Sequence, residues 1–206
     1  MKKDQTTLYK LKRRDLKKAA KVLADAFYSD PLTQYMFPDD ETRKEQSAHY
    51  FNFTVSYGLK FGEIYAPSPE IEGLAIWYLS DKYVMNMFKQ LRAGGMKLYL
   101  KLKKDNISRM MPIGRFSSEM HNKYGNFKHW YLSPIGVAPE HQGKGFGSLL
   151  LRTMLNRIDI EKLPSLLETQ NPTNVEIYKR FGYEVVTKEK IPNTEIPHWV
   201  MIRHPK

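Results

Sequence analysis

The sequence predicts a mixed α/β fold in which a central β-sheet carries helices on both faces. Residues 128–152 pass from an aromatic and apolar strand, through a proline-closed turn and a glycine-rich loop, into a helix. A second apolar strand, residues 165–169, follows that helix and completes a strand, crossover helix, strand unit. With 206 residues, 41% of them hydrophobic, the chain is long enough to form one domain with a substantial core.

The first part of the chain is predicted to alternate helices with a short hairpin. Apolar residues recur at helical spacing over residues 14–28, and Asp30-Pro31 is expected to end that helix. A turn-rich loop over residues 31–41 follows, whose Tyr35, Met36 and Phe37 either line an acceptor pocket or fill the core.

Next, the apolar spacing predicts a second helix and two paired strands. The helix covers residues 42–59, and the strands cover residues 64–66 and 73–79. Residues 80–127 are predicted to be a helical insertion, broken at Gly94-Gly95 and rich in Met, Lys and Arg. A membrane-surface amphipathic segment is the alternative for this insertion.

The last part of the chain is predicted to add a short helix and two strands. The helix begins after Asn171, which is a good N-terminal cap, and ends at a glycine. The strands cover residues 184–188 and 195–203, with Trp199 and Met201 on one face.

The glycine-rich loop has the features of a phosphate-binding site. Its glycines let the backbone approach an anion closely, and the helix after it directs free N–H groups to the same place. The loop is not a Walker A loop, because Lys144 is followed by Gly145 rather than by Ser or Thr. It is not the dinucleotide fingerprint either, because Ser148 stands where the third glycine is needed.

The pattern Gln142-x-x-Gly145-x-Gly147 resembles the coenzyme A pyrophosphate motif, Q/R-x-x-G-x-G/A, of the GNAT superfamily of acyl-CoA N-acyltransferases. Asn174 and Tyr178, in the short helix after the second strand, resemble the second motif of that superfamily. Two motifs at the expected places make the resemblance specific.

Within the superfamily, the resemblance is closest to the puromycin N-acetyltransferase-like branch. It is carried by Trp130-Tyr-Leu, Gln142-Gly-Lys-Gly, Leu167-Glu-Thr169 and Trp199-Val-Met201-Ile-Arg203. The N-terminal half, which holds the acceptor site in such folds, matches only loosely.

The resemblance implies a GNAT fold with splayed fourth and fifth strands and acetyl-CoA as the co-substrate. A β-bulge near Pro134 or Gly136 is the expected local cause of the splay. One domain spans residues 1–206, with an N-terminal half at 1–127, an acceptor-side insertion at about 80–127 and an acetyl-CoA-binding half at 128–206. The residues that it assigns to coenzyme binding are Ile135, Gly136, Val137, Gln142, Gly143, Lys144, Gly145, Phe146, Gly147, Ser148, Asn171, Asn174 and Tyr178.

Two residues are the candidates for proton transfer. Tyr178 is the expected general acid, because superfamily tyrosines at this position point at the thioester sulfur. Glu168, at the end of the fifth strand, either takes the proton of the amine or serves as a paired structural charge. His129 is a poorer candidate for the base, since a strand histidine is more often held by hydrogen bonds.

The expected reaction is acetyl transfer from acetyl-CoA to a primary amine of a small molecule by direct attack in a ternary complex. Acetylation of a protein or peptide amine, a non-catalytic CoA-binding module and a polyanion-binding module are the alternatives. The net charge of +11 suits anionic ligands in general, although no nucleic-acid partner is expected.

The composition narrows the remaining choices. The chain has no cysteine, and its histidines lack metal-ligand spacing, so neither a covalent Cys intermediate nor a metal is expected. No run of eighteen apolar residues occurs, and the first residues lack the apolar segment of a signal peptide. The sequence therefore predicts a cytoplasmic protein without a membrane partner, and a homodimer is compatible with it.

Overall fold

The computed structural model describes residues 7–83 and 86–206, and a seven-stranded sheet runs through this part of the chain. The strands are β1 (Tyr9–Lys10), β2 (Glu63–Ala66), β3 (Gly73–Leu79), β4 (Trp130–Val137), β5 (Ser165–Thr169), β6 (Glu184–Lys190) and β7 (Pro197–Arg203). Their order in the sheet is β1-β2-β3-β4-β5-β7-β6. All neighbours pair antiparallel except β4 and β5, which are parallel.

Helices cover both faces of this sheet, as the sequence predicts. They are α1 (Leu16–Ala26), α2 (Pro31–Met36), α3 (Asp40–Phe61), α4 (Ser80–Tyr83), α5 (Met87–Ala93), α6 (Gly95–Lys101), α7 (Lys104–Tyr124), α8 (Phe146–Glu161) and α9 (Pro172–Lys179). No helix in the two described segments is both long and apolar enough to cross a membrane.

The side-chain alternation of the strands divides the core into two layers. On one face of the sheet, Leu166 and Val200 belong to a buried cluster with residues of α1 and α3. On the other face, Leu167 and Met201 pack in a second cluster with α8 and with Tyr178 of α9. The sheet therefore separates an α1/α3 face from an α8/α9 face.

The prediction of a loop over residues 31–41 is wrong, because residues 31–36 form the helix α2. The carboxylate of Asp30 accepts hydrogen bonds from the amides of Leu32 and Thr33 (2.9 and 3.3 Å), and Pro31 occupies the first helical position. Asp30-Pro31 therefore starts a helix, and the preceding helix already ends at Ala26.

Two roles were predicted for Tyr35, Met36 and Phe37, lining an acceptor pocket or filling the core, and the structure favours the core. Met36 and Phe37 are buried in a third cluster with residues of α6 and α7, so they fill the core. Tyr35 lies at the edge of that cluster, where the Arg109 guanidinium is 5.5 Å from its ring centroid. None of these three side chains lines the strand edges described below.

The helical character predicted for residues 80–127 is confirmed, since α4 to α7 occupy most of the described part of this segment. Gly94 separates α5 from α6 with a φ of +100°, a conformation that favours glycine. The strands β4 and β5 have the predicted bounds, whereas β6 extends two residues further and β7 begins two residues later. The two-residue strand β1 was not predicted.

Candidate active site

The strands β4 and β5 pair over only three residues and then separate. The last register pair between them is Leu132 with Leu167, and Glu168 and Thr169 of β5 pair only with β7. On the other side, Ile135 to Val137 of β4 remain paired with β3. The predicted splay is therefore present, and one edge of β4 has no strand partner beyond Leu132.

A one-residue bulge decides which backbone groups face this gap. Between Leu132 and Ile135, β4 advances three residues while β3 advances two, so the extra residue lies at Ser133-Pro134. The Ala138 amide donates to the carbonyl of Glu72, the residue just before β3 (2.9 Å). The Gly136 carbonyl also lies beside Gly73 of β3.

The alternation of the strand then turns the backbone groups of Ile135 and Val137 toward the splay. The Val137 carbonyl accepts a hydrogen bond from the Gln142 side chain (3.1 Å), which leaves the two amides open. Two N–H donors thus face a gap that holds no strand partner among the described residues. The side-chain amide of Gln142 closes the end of that gap.

Gly136 has a different position from its two neighbours. Its backbone is turned to β3, and a Cβ there would lie 3.0 Å from the side chains of Leu23 of α1 and of Phe27, the residue after α1. This glycine therefore allows α1 to pack closely on the sheet. Of the three β4 residues expected at the coenzyme, Ile135 and Val137 are the ones with open amides.

The glycine-rich loop makes a cradle at the start of α8. Gly143 and Gly145 have φ values of +75° and +85°, and a Cβ at either position would meet no atom within 4 Å. The space above the loop is open. The first-turn amides of Phe146, Gly147 and Ser148 have no partner inside the helix and point to this space. The Lys144 side chain is exposed beside them.

Gly145→Val is expected to weaken coenzyme binding at least tenfold. A β-branched residue at this positive φ costs about 1–2 kcal/mol of backbone strain and would move the amides out of the cradle. Isothermal titration with coenzyme A measures the effect.

Gly94→Val is the matched control for this variant, because Gly94 also has a positive φ and open space but lies between α5 and α6. Its expected effect is the same loss of thermal stability with unchanged coenzyme affinity. Equal affinities of the Gly145 variant and the parent protein would contradict the assignment of the loop.

The two asparagines of the second motif have different surroundings. The Asn171 side chain accepts a hydrogen bond from the Thr173 amide (2.9 Å), so it caps the N-terminus of α9. The half-buried Asn174 side chain has no hydrogen-bond partner within the described residues. Asn174 is therefore the one that is available to a ligand.

Tyr178 is buried on the α8/α9 face, in the same cluster as Leu132 and Leu167. Its ring stands edge-on to that of Tyr183, with the centroids 5.8 Å apart. The Tyr178 hydroxyl has no hydrogen-bond partner in the described part of the chain. Burial raises its pKa, so the phenol stays protonated at neutral pH and can donate that proton.

Glu168 lies on the opposite face of the sheet, because it stands across from Val200 of the α1/α3 face. Its side chain is only 5% exposed. The Nε2 atom of His198 is 3.2 Å from Oε2 of Glu168, and the Gln170 amide donates to Nδ1 of the same ring (2.9 Å). This places the proton of the His198 ring on the nitrogen that faces Glu168.

The second oxygen of Glu168 faces a histidine of the insertion. Oε1 lies 3.9 Å from Nδ1 of His121 on α7, which is too far for a hydrogen bond, and both atoms are buried without a partner in the described residues. Burial, together with the charge of His129, lowers the pKa of His121 to about 4. The neutral imidazole of His121 and the carboxylate of Glu168 therefore both lack a hydrogen-bond partner at these two atoms within the described segments, and a proton donor placed between them would supply one.

His129 is fixed by its surroundings. Its Nδ1 donates to the carbonyl of Phe127 (2.7 Å), its backbone amide donates to the Ser80 hydroxyl (3.2 Å), and burial lowers its pKa. Its ring lies 5.1 Å from that of His121, centroid to centroid. These contacts give His129 the structural role that a strand histidine most often has.

His121 and His198 were missed by sequence reasoning. His121 lies near the end of α7, in the segment with the weakest sequence signal, and nothing local points to it. His198 is next to Trp199, which the strand alternation places on the opposite face. That alternation, combined with the pairing of β5 and β7, would have placed His198 beside Glu168. No group of three or more His, Asp or Glu side chains in the described segments is arranged to hold a metal ion.

Comparisons with known proteins agree with this geometry. Residues 111–185 match the family model described as an acetyltransferase (GNAT) domain. A protein of Schizosaccharomyces pombe, described as an uncharacterized N-acetyltransferase, is 28% identical over 207 residues, which cover 96% of this chain and 83% of that protein.

Solved structures share the whole fold at low identity. The Corynebacterium glutamicum histone acetyltransferase HPA2 and related acetyltransferase has a TM-score of 0.66 at 18% identity, covering 97% of this chain and 96% of that one. Arylalkylamine N-acetyltransferase 2 of Aedes aegypti has a TM-score of 0.62 at 9% identity (97% and 99% covered). The ribosomal-protein-S18-alanine N-acetyltransferase of Escherichia coli has a TM-score of 0.54 at 14% identity (96% and 92% covered).

Residues 111–185 therefore match a GNAT acetyltransferase domain, the chain has the fold of the solved acetyltransferases, and it is an enzyme of the acetyltransferase class. Such a domain implies acetyl-CoA as the co-substrate. The residues present fit that molecule. An open cradle of amides suits a pyrophosphate, and the unpaired amides of Ile135 and Val137 suit the carbonyl groups of an extended arm.

Proposed function

We propose that the protein transfers an acetyl group from acetyl-CoA to a primary amine of a small molecule by direct attack in a ternary complex. The observation that carries the proposal is the open edge of β4, which lies between a buried phenol on one face and a buried carboxylate on the other. A thioester at that edge would have a proton donor on the leaving-group side. The attacking amine would have a proton acceptor on its own side.

The coenzyme is held along one continuous path. The amides at the start of α8 and the charge of Lys144 bind the pyrophosphate, while the open amides of β4 bind the arm and the thioester carbonyl. When bound, acetyl-CoA supplies an activated acyl group. The Val137 or Ile135 amide stabilises the negative charge that develops on the carbonyl oxygen, because it points to the gap and has no other acceptor.

Tyr178 is the proposed general acid. Its hydroxyl has no hydrogen-bond partner in the described residues and burial raises its pKa, so the phenol is protonated when the coenzyme binds. Proton transfer is coupled to departure of the thiolate, whose basicity the same desolvated site increases. The bond from carbon to sulfur breaks, and the phenol proton passes to the sulfur.

Glu168 is the proposed general base, and His198 is its positioning residue. The Gln170 side chain orients the His198 ring by a hydrogen bond, the Nε2 atom of that ring lies 3.2 Å from one oxygen of Glu168, and the other oxygen has no hydrogen-bond partner among the described residues. The bond from nitrogen to the acyl carbon forms as the amine proton moves to Glu168, directly or through a water molecule.

Deep cover over the acceptor side favours a small amine over a protein. The side chains of Glu168 and His121 are 5% and 8% exposed, and His198 is fully buried. The insertion contributes this cover, since His121 belongs to α7 and Phe116 of α7 packs edge-on against His198 (5.1 Å between centroids). A peptide segment requires an open groove, which the insertion would fill.

The finer assignment to the puromycin N-acetyltransferase-like branch is part of this proposal. Its support is the sequence resemblance along β4, the glycine-rich loop, β5 and β7. An acceptor of this class would be an aminonucleoside or another amine of similar size.

A free-thiol release assay with acetyl-CoA tests the function. Aminonucleosides, polyamines, amino acids and peptides are offered as acceptors, and product formation is followed by mass spectrometry. The expected result is thiol release that depends on one class of small amine. Release with peptides alone would shift the assignment to a protein acceptor, and coenzyme binding without release on any acceptor would make the domain a CoA-binding module.

A further inference from the structure

The helices α5 and α6 expose an unusual amount of apolar surface. Thirteen large apolar side chains are exposed in the described part of the chain, and six of them lie within residues 87–100. These six are Met87, Phe88, Leu91, Met96, Tyr99 and Leu100, between 50% and 78% exposed. We call them the apolar patch. Scattered apolar residues on a surface are ordinary, but this density within two short helices is not.

The packing of the two helices explains why the patch faces outward. Each helix buries one apolar side chain against the rest of the protein, namely Ala93 in α5 and Leu98 in α6. On α5, the cationic groups of Lys89 and Arg92 lie over the ring of Phe61 (5.4 and 5.9 Å from its centroid). The helices are thus held by their buried and basic positions. A second apolar stripe is exposed, and within it the Arg92 guanidinium lies 5.6 Å from the centroid of the Phe88 ring.

The charge around the patch has a single sign. Residues 86–104 contain six basic residues and no Asp or Glu. The basic residues are Lys89, Arg92, Lys97, Lys101, Lys103 and Lys104. Lys103 pairs with Asp39 of the α3 cap (2.8 Å), and the other five have no ion-pair partner among the described side chains. Apolar residues within a basic border are typical of helices that lie in a membrane interface.

A basic groove extends this border toward α1 and α3. Lys97 and Lys101 line it together with Lys17, Lys21 and Lys44, and its volume is about 360 Å³. Asp25 is the carboxylate among its lining residues, and both Lys21 and Lys44 already contact it. The groove therefore carries excess positive charge next to the apolar patch.

We propose that the apolar patch and its basic border dock on an anionic lipid surface. Charge decides between this surface and a second copy of the chain. A symmetric contact through the patch would bring two acid-free basic borders together, which is unfavourable. An anionic bilayer supplies the opposite charge, and its fluid interface accepts exposed, projecting apolar side chains. The proposal is independent of the acetyl-transfer assignment.

Sedimentation of the full chain with phosphatidylcholine vesicles, with and without phosphatidylglycerol, at physiological ionic strength tests this docking. Binding is expected only with phosphatidylglycerol. Phe88→Ser with Leu100→Ser is expected to weaken it about tenfold or more, since one anchor is lost from each helix. Ile160→Ser with Val186→Ser, two exposed apolar residues outside the patch, is the matched control and is expected to bind like the parent protein.

A second pair of variants separates local docking from general attraction to a basic protein. Lys97→Gln with Lys101→Gln is expected to weaken binding on the order of 25-fold, from about fivefold per lysine near the surface. Lys188→Gln with Lys190→Gln on β6 removes the same charge and is expected to have a much smaller effect.

Several outcomes would overturn the proposal. They are the absence of binding to phosphatidylglycerol vesicles, equal losses in the two lysine pairs, and unchanged binding of the Phe88 and Leu100 variant. A dimer in analytical ultracentrifugation that this variant dissociates would instead show that a second copy covers the patch.

Discussion

Glu168→Gln is expected to lower kcat by about 10²- to 10⁴-fold while leaving the affinity for coenzyme A unchanged. The amide is isosteric with the carboxylate and can keep an oxygen next to Nε2 of His198, so the buried contact at 3.2 Å is preserved. What disappears is the capacity to take a proton. Steady-state kinetics with an identified amine, together with coenzyme titration, measures both parts of this expectation.

The pH profile distinguishes a base from a merely structural carboxylate. Removal of the base should abolish the acidic limb of kcat/KM, whereas a structural defect would lower activity evenly at all pH values. Glu184→Gln, an exposed glutamate at the start of β6, is the matched control and should keep the parent kinetics. More than a tenth of the parent kcat in Glu168→Gln would exclude this residue as the base.

Tyr178→Phe is the second change with a large expected effect, a loss in kcat of about 10²-fold or more with little change in KM. The variant keeps the ring and its packing but removes the hydroxyl that would protonate the leaving sulfur. Removal of that hydroxyl breaks no hydrogen bond, because it has no partner in the described residues. Thermal stability should therefore stay close to that of the parent protein.

The neighbouring Tyr183 provides a matched control in the same cluster. Its hydroxyl accepts a hydrogen bond from Ser165 (2.8 Å), so Tyr183→Phe should cost about 1 kcal/mol of stability. Its kcat should remain that of the parent protein. If the two variants had equal kcat values, Tyr178 would be a packing residue and not the acid.

Local signals in the sequence were sufficient for the elements that surround the coenzyme. The strands β4 and β5 are short apolar runs between turn residues, and their predicted bounds match the structure. The glycine loop was recognised because the chemistry of an anion cradle requires glycines and a helix start at fixed offsets. These features depend on residues that are adjacent in the chain.

Features that depend on pairing between distant segments were not predictable in the same way. The bulge at Ser133-Pro134 was expected near this point, but the open amides follow from the register of β4 against β3. The contact of Glu168 with His121 and His198 joins three elements, and no sequence spacing encodes their distance. The helix α2 was missed for a local reason, because Pro31 was interpreted as a terminator when its cap makes it an initiator.

The positions of Glu168 and Tyr178 on opposite faces of one sheet have a consequence for turnover. Under the proposed roles, Glu168 takes up a proton on the α1/α3 face in each catalytic cycle, and Tyr178 gives up a proton on the α8/α9 face. The proton on Glu168 cannot return to the Tyr178 phenolate through the sheet, which is filled by apolar side chains on both sides of β5. Both residues are shielded from solvent, so each must exchange its proton with water through the space that its own product vacates. Product departure would therefore return both residues to their starting protonation states. Release of the acetylated amine gives Glu168 access to water, and release of the free thiol gives Tyr178 access to water.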